Sequence, residues 1–368
     1  MSSKKIVAKF GGSSVKDCKS MERCAQIVSA DSEINLVILS ATYNTTNELE
    51  EIYNSALNGK NKHASIVLDS IKEKHLDMAG ELIGGSEIKF FLKEVIEEGQ
   101  QILSDLIRTP DENLKLLDQL YGIGERLSSR LFYQVLKEKL GPEKEVIYFD
   151  ARQVLKTDSS WSKANPCIKD ICSLSEKYLS KYIQENNIIV TQGFIGSNEV
   201  GDTTTLGREG SDYSAALFAE ALGSEEIQIW SDIPGVASGD PRKLSKTKII
   251  PELSYEEATA LTLGGSKVLF PRTMEAARRN GIPIIVSSSL NPELGGTIIR
   301  PGVTKHVGPR AISIKEELDY SILTLIGWSI DEAALPLEAF NKGDCFLQFK
   351  VPLSEGREWL EKLHLLTN

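Results

Sequence analysis

A chain of 368 residues, 41% hydrophobic and 26% charged, carries enough apolar material for one large α/β domain and a smaller appendage. Its net charge of -10 supplies no basic field for nucleic acid, and no apolar run approaches the length of a membrane span. The amino terminus MSSKKIVAKF lacks the apolar core of a signal peptide, and the five cysteines lack paired metal-ligand spacing, so a cytoplasmic chain with reduced thiols is expected.

The first predicted strand, Lys5 to Phe10, runs directly into Gly11-Gly12-Ser13-Ser14-Val15, and a helix follows from about Ser20 to Ala30. A strand, a glycine pair and a helix in succession form an anion site, because glycine lets backbone N–H groups approach phosphate oxygens closely. The pattern is not a Walker A loop, since the lysine precedes the glycines. Lys9 sits instead at the carboxyl end of a strand, where open α/β sheets place their ligands. Asn35 to Ala41 is the next strand, and Thr42 to Asn47 forms a polar cluster best read as the cap of a helix starting near Glu48. Residues 48 to 140 are mostly helical by pattern. Within them Gly122-Ile123-Gly124-Glu125 reads as a glycine-flanked helix start, where a glutamate ordinarily complements the dipole.

Glu145 to Asp150 is a further strand, Ala151 to Pro166 an irregular segment, and Lys169 to Asn186 a helix. The apolar run Asn187 to Val190 then opens a long loop of Gly, Thr, Ser and Asn that carries Arg208. The loop closes at Gly210-Ser211-Asp212, where Ser211 or Asp212 is expected to cap a helix through Leu222. Loops of this length are uncommon unless they are functional or disordered. Glu226 to Trp230 is another strand, leading to Ser231-Asp232 and then to Asp240-Pro241-Arg242. A helix from Ser254 to Leu263, the run Gly264-Gly265-Ser266-Lys267, a helix from Thr273 to Asn280 and a strand from Ile282 to Ser287 complete the alternation. Strands alternating with helices argue for a mainly parallel sheet covered on both faces. His63, His75, His306 and His364 lie far from the glycine-rich loops in sequence, which gives a histidine-based triad little support.

Together Lys9-Phe10-Gly11-Gly12-Ser13-Ser14-Val15, Gln192 to Gly196, Thr203 to Tyr213, Asp240-Pro241-Arg242, Gly265 to Leu269 and Pro271-Arg272-Thr273 closely resemble aspartate kinases over roughly residues 5 to 300. The resemblance implies the amino-acid kinase fold, a three-layer αβα sandwich with a mainly parallel central sheet, across residues 1–300. It implies transfer of phosphate from ATP to the side-chain carboxylate of L-aspartate, the entry step to lysine, threonine and methionine synthesis. It also implies roles. Lys9 with Gly11 and Gly12 would hold the transferring phosphoryl group, and Asp212 would organise Lys9. Arg208 would grip a substrate carboxylate, Glu125 the substrate ammonium, and Thr46 and Ser211 would fix its orientation. Ser231, Asp232, Arg242 and Lys267 match the family's ATP positions, and Mg2+ would arrive on the nucleotide phosphates rather than in a protein cage.

Two positions depart from the family pattern: Ala237 stands where tyrosine is usual, and Phe270 where histidine is usual. Residues 301–368 are too few for the family's usual pair of ACT modules and read as a single reduced ACT-like appendage, α+β in character, serving packing or homodimer formation. Weak or absent inhibition by lysine and threonine is expected from that loss. The alternatives are a catalytically weak paralogue acting as a regulatory subunit, and an amino-acid kinase with a different carboxylate substrate.

Overall fold

A computed structural model describes residues 4–185, 187–266, 269–304 and 306–367. The chain divides into two compact units, Met1–Asp232 and Ile233–Asn368.

The first unit contains β1 (Ile6–Phe10), α1 (Cys18–Ala30), β2 (Ile34–Leu39), α2 (Thr45–Leu57), α3 (Asn61–Gly80), α4 (Gly85–Arg108), α5 (Leu114–Leu140) and β3 (Val146–Tyr148). It continues with α6 (Ile168–Tyr178), α7 (Ser180–Gln184), β4 (Ile188–Gln192), β5 (Ile195–Ser197), β6 (Thr203–Thr205), α8 (Gly210–Leu222) and β7 (Glu226–Ser231). Five of its strands form a parallel sheet in the order β3-β4-β2-β1-β7. β1, β2 and β4 are buried along their whole length, which is why they read as unbroken apolar runs rather than alternating ones.

Ile6, Ala8 and Phe10 of β1 join the core built by α1 to α5. Because successive strand residues point to opposite faces, Val7 and Lys9 are directed to the other face, against which α8 packs. One β-strand register thus decides that the lysine meets α8 and not the helical core. The helices are set by local signals. Asp17 accepts a hydrogen bond from the Ser20 amide at 2.7 Å to start α1, and Asn113 caps α5 through the Leu116 amide. The buried positions of α4, Ile88, Leu92, Val95, Ile96, Gly99, Leu103 and Leu106, follow the helical period.

The second unit contains β8 (Glu252–Ser254), α9 (Tyr255–Leu263), α10 (Pro271–Arg279), β9 (Ile284–Ser288) and β10 (Gly296–Arg300). There follow β11 (Ala311–Glu316), β12 (Tyr320–Ile326), β13 (Asn341–Gly343), β14 (Phe346–Pro352) and α11 (Gly356–His364). β10 pairs with β8 in parallel and with β9 antiparallel. The last four strands form an antiparallel sheet in the order β11-β12-β14-β13, with α11 packed on β11 and β12. A reciprocal capping box between Ser254 and Glu257 starts α9, and Pro271 occupies the first turn of α10.

The compact units therefore do not divide at residue 300, where the sequence placed the boundary. The physical cause lies in what joins the tail sheet to its neighbours. The Ile312 amide donates to the Ser238 carbonyl at 2.9 Å, and Arg310 and Glu257 form a buried ion pair at 3.2 Å. Side chains of Ser313 and Thr324 pack so closely on Gly264 that a Cβ there would lie within about 2.5 Å of both hydroxyls. Two other expectations change. The loop after β4 is not irregular throughout, since β5 and β6 pair as an antiparallel hairpin. The single helix expected before β4 is two, broken at Leu179. Among the described residues, no helix is long and apolar enough to cross a membrane.

Candidate active site

At the carboxyl end of β1, Lys9 is 7% exposed, and its Nζ lies 2.5 Å from Oδ1 of Asp212 in the first turn of α8. Burial strengthens this attraction because little water screens it. The chain then turns sharply. Gly11 and Gly12 enter a 3-10 turn, Gly12–Val15, and a Cβ at Gly12 would lie 2.9 Å from the Ala41 carbonyl oxygen, so only glycine allows that approach. The expectation that both glycine amides face a phosphate needs one correction. The Gly11 N–H is already used, donating to the Trp230 carbonyl at 3.0 Å as the β1–β7 ladder ends. The amides of Gly12 and Ser13, first in their turn, have no acceptor within it and are the donors the loop can offer.

The second glycine-rich segment meets the first around Lys9. Gly207 at φ +80° and Glu209 at φ 54° bend the chain before α8, so the helix begins at Gly210 with Glu209 as its cap. Ser211 and Asp212 are consequently inside the first turn rather than capping it, as the sequence had suggested. Ser211 is buried against Gly193, where an added Cβ would lie 2.7 Å from the serine Cβ. Arg208 is exposed on the loop ahead of α8.

Glu125 is not at a helix start. It lies in the middle of the 27-residue α5, because Gly122 and Gly124 are tolerated there as close-packing positions: a Cβ at Gly124 would meet the Ala41 side chain at 2.9 Å. Glu125 is 2% exposed. One carboxylate oxygen accepts from the Ala41 amide at 3.2 Å, while the other, Oε2, is buried and accepts no hydrogen bond among the described residues. Burial pushes this carboxyl up to about 8, against the opposing pull of the Ala41 amide and of Lys9. A buried carboxylate with an unmatched oxygen is a receptor for a cation. Thr46 is half-buried in the first turn of α2.

Of the four residues expected at the nucleotide, Ser231 is the last residue of β7 and Asp232, exposed, follows it at the end of the first unit. Arg242, in the second unit, is exposed and paired with Asp240 at 2.8 Å. Lys267 lies outside the described residues.

The structure also supplies residues that the sequence reading passed over. Asp118 is fully buried and accepts hydrogen bonds from the Ser162 amide at 3.0 Å, the Thr205 amide at 2.9 Å and the Thr205 hydroxyl at 2.7 Å. It thereby anchors the strand that leads into Gly207 and Arg208. Burial nevertheless raises its pKa. The available signal was an aspartate inside the leucine-rich Leu116 to Leu120 stretch. His75, distant from the loops in sequence, is brought against Thr42 in space, its Nε2 3.1 Å from the threonine hydroxyl.

Comparison with known proteins shows the family. Residues 4–288 match the Amino acid kinase family. The chain is 37% identical over 297 residues to lysine-sensitive aspartokinase 3 of Escherichia coli (strain K12), covering 80% of this chain and 64% of that one. It is 33% identical over 316 residues to the aspartokinase of Chlamydia trachomatis, covering 84% and 68%. The crystal structure of E. coli aspartokinase III in complex with aspartate and ADP superposes with a TM-score of 0.86 at 27% identity, covering 98% of this chain and 99% of that one. By these matches and by the glycine loops, Lys9 and Glu125 that it carries, the chain belongs to the amino acid kinase family, among the aspartokinases.

Proposed function

We propose that this chain transfers the terminal phosphoryl group of ATP to the side-chain carboxylate of L-aspartate, giving 4-phospho-L-aspartate. The observation that carries the reading is the buried Lys9–Asp212 pair beside two glycine loops, facing a chemistry that needs fixed cations rather than a base. An aspartate carboxylate is already ionised at neutral pH, with a reference pKa of about 3.9. What remains is to align two anions and offset their charge as the phosphoryl group moves.

Lys9 and the Gly12 amide are assigned to the transferring phosphoryl group. Asp212 holds the Lys9 ammonium in place. Arg208, with its planar fork of donors, grips the substrate α-carboxylate. Glu125 takes the substrate ammonium on Oε2, and that charge restores the ionised carboxylate which burial disfavours. Thr46 and Ser211 set the orientation between these two charges. Ser231, Asp232, Arg242 and Lys267 are assigned to ATP on the strength of the family resemblance. No group of three His, Cys, Asp or Glu suited to a metal occurs among the described residues. Mg2+ is assigned to nucleotide oxygens and water, where it would offset phosphate charge.

The E. coli relative was crystallised with aspartate and ADP, which supports this substrate pair. We read residues 301–368 as a reduced ACT-like appendage, the compartment as cytoplasmic and the assembly as a homodimer. The test is an aspartyl-hydroxamate assay with and without ATP, run beside glutamate and N-acetylglutamate. Hydroxamate should form only with ATP and aspartate. Lys9→Ala should lose activity on the order of a hundredfold or more, and Arg208→Ala should chiefly raise the aspartate KM. Product with glutamate but not aspartate would overturn the substrate assignment.

A further inference from the structure

The segment from Ser40 to Thr46 is the part of the site that touches most of the others. The Ser40 amide donates to the Phe10 carbonyl at 3.1 Å at the end of β1. The Ala41 amide donates to Glu125, and the Ala41 carbonyl is the surface against which Gly12 turns. From the α5 side, the Ser128 hydroxyl donates to the Ser40 carbonyl at 2.6 Å. Asn44 then adopts φ 67°, in the left-handed region that asparagine enters more readily than most side-chain-bearing residues, and α2 begins at Thr45 with Thr46 next. The turn is also held by outside groups.

Those groups come from two adjacent residues of α3. His75 is completely buried, and its Nδ1 lies 2.7 Å from the Ile71 carbonyl. A carbonyl only accepts, so Nδ1 carries the hydrogen. Burial pushes the ring down to about 4, which leaves it neutral and makes Nε2 an acceptor. The Thr42 hydroxyl, 3.1 Å away, therefore donates to Nε2. Having given its only hydrogen, Thr42 accepts from the Thr45 hydroxyl at 2.7 Å. Thr45 in turn accepts from Lys74 Nζ at 2.9 Å, and Lys74 also donates to the Tyr43 carbonyl at 3.0 Å. Every hydrogen in the relay has one direction, and Thr42, Thr45 and His75 are all shielded from water.

We propose that the Lys74–Thr45–Thr42–His75 relay is a positioning device for the amino-acid substrate, locking the turn that presents Thr46 and the Ala41 amide to the Glu125 side of the site. None of the four touches substrate in this assignment; they act through Ala41, Glu125 and Thr46. The inference rests on the reading of Glu125 and Thr46 as aspartate-binding residues. The relay ends on the turn beside Glu125, with Gly12 packed on the Ala41 carbonyl of the same turn, and not at Ser231 or Asp232, the residues assigned to ATP.

The test measures KM for aspartate, KM for ATP, kcat and Tm in Thr42→Val, Thr42→Ser, Lys74→Met and Glu125→Gln. Thr42→Val keeps the shape and removes the hydroxyl; Thr42→Ser keeps the hydroxyl. Lys74 is only partly buried, so Lys74→Met remains informative should Thr42→Val not fold. Thr42→Val and Lys74→Met should raise the aspartate KM by about tenfold, as expected for an orphaned buried hydrogen-bond partner. ATP KM should stay near the parent value, any fall in kcat should be smaller than the rise in aspartate KM, and Thr42→Ser should restore the parent behaviour. A lowered Tm with an unchanged aspartate KM would mean a merely structural role and overturn the proposal, provided Glu125→Gln raises that KM. If Glu125→Gln also leaves it unchanged, the aspartate-site reading itself has failed, and the relay proposal falls with it.

Discussion

Two buried ion pairs, one in each compact unit, show how differently the same chemistry can be used. In the second unit Glu257 and Arg310 leave almost nothing unmatched. Glu257 accepts from the Ser254 amide at 2.8 Å and from Arg310 Nη1 on both oxygens, and Arg310 also donates to Thr304 and to the Glu252 carbonyl. In the first unit Lys9 meets one carboxylate oxygen of Asp212, and nearby Glu125 keeps a buried oxygen without a donor. A saturated pair ties elements together, because any rearrangement would strand a desolvated charge. An unsaturated cluster of the same burial leaves interactions to be completed by a ligand. Satisfaction of hydrogen bonds, more than burial or charge, is what distinguishes the two clusters.

Breaking each pair sharpens that contrast. Lys9→Met should have the largest effect, lowering turnover on the order of a hundred- to a thousandfold and also destabilising the fold, since Asp212 is left charged and unpaired. The double variant Lys9→Met/Asp212→Asn should regain most of the stability in a denaturant titration while remaining inactive. Recovery of activity in the double variant would place the phosphoryl group elsewhere. Arg310→Met should destabilise by about 3–5 kcal/mol, the usual consequence of stranding a buried partner, while the folded fraction keeps its turnover. A large loss of turnover without a change in Tm would show that the second pair is not simply a fastener.

The smallest effect concerns Glu125 and pH. Its carboxyl is raised to about 8 from an ordinary 4.5, so between these values the folded chain holds a proton that the unfolded chain has released. Stability contributed by that proton is fully present below 4.5 and is lost as pH rises through 8, by up to a few kcal/mol. Glu125→Gln should flatten this part of the stability–pH curve. Binding of aspartate near pH 7 should release a proton from the parent chain, visible by calorimetry in buffers of different ionisation heat, and none from Glu125→Gln. Proton uptake instead would contradict the ammonium contact.

Much of the first unit was legible because its signals are local. β1 and its glycine pair, β2 and β4 follow from short apolar runs and glycines whose consequences reach only a few residues, as does the start of α10 in the second unit from its proline. Glu125 was harder: Gly122 and Gly124 resemble a helix start, and only the close packing of Ala41 on Gly124 shows why glycines sit within a long helix. The hairpin of β5 and β6 was hidden because three-residue strands carry too few positions for a period to appear. The boundary at Asp232 could not be read either, since β11 is bound to α9 and to Ser238 by contacts remote in sequence.

The amino-acid order by itself determined that a lysine would end a buried strand, that glycines would follow it, and that a second small-residue loop would open a helix. It did so because backbone geometry and strand alternation are imposed residue by residue. Tertiary structure decided which polar groups meet: Lys9 with Asp212, Ala41 with Glu125, Thr42 with His75, and Glu257 with Arg310. These partners lie between 33 and 203 residues apart, and whether a buried polar group is satisfied or left waiting depends on atoms that only the folded chain brings within reach.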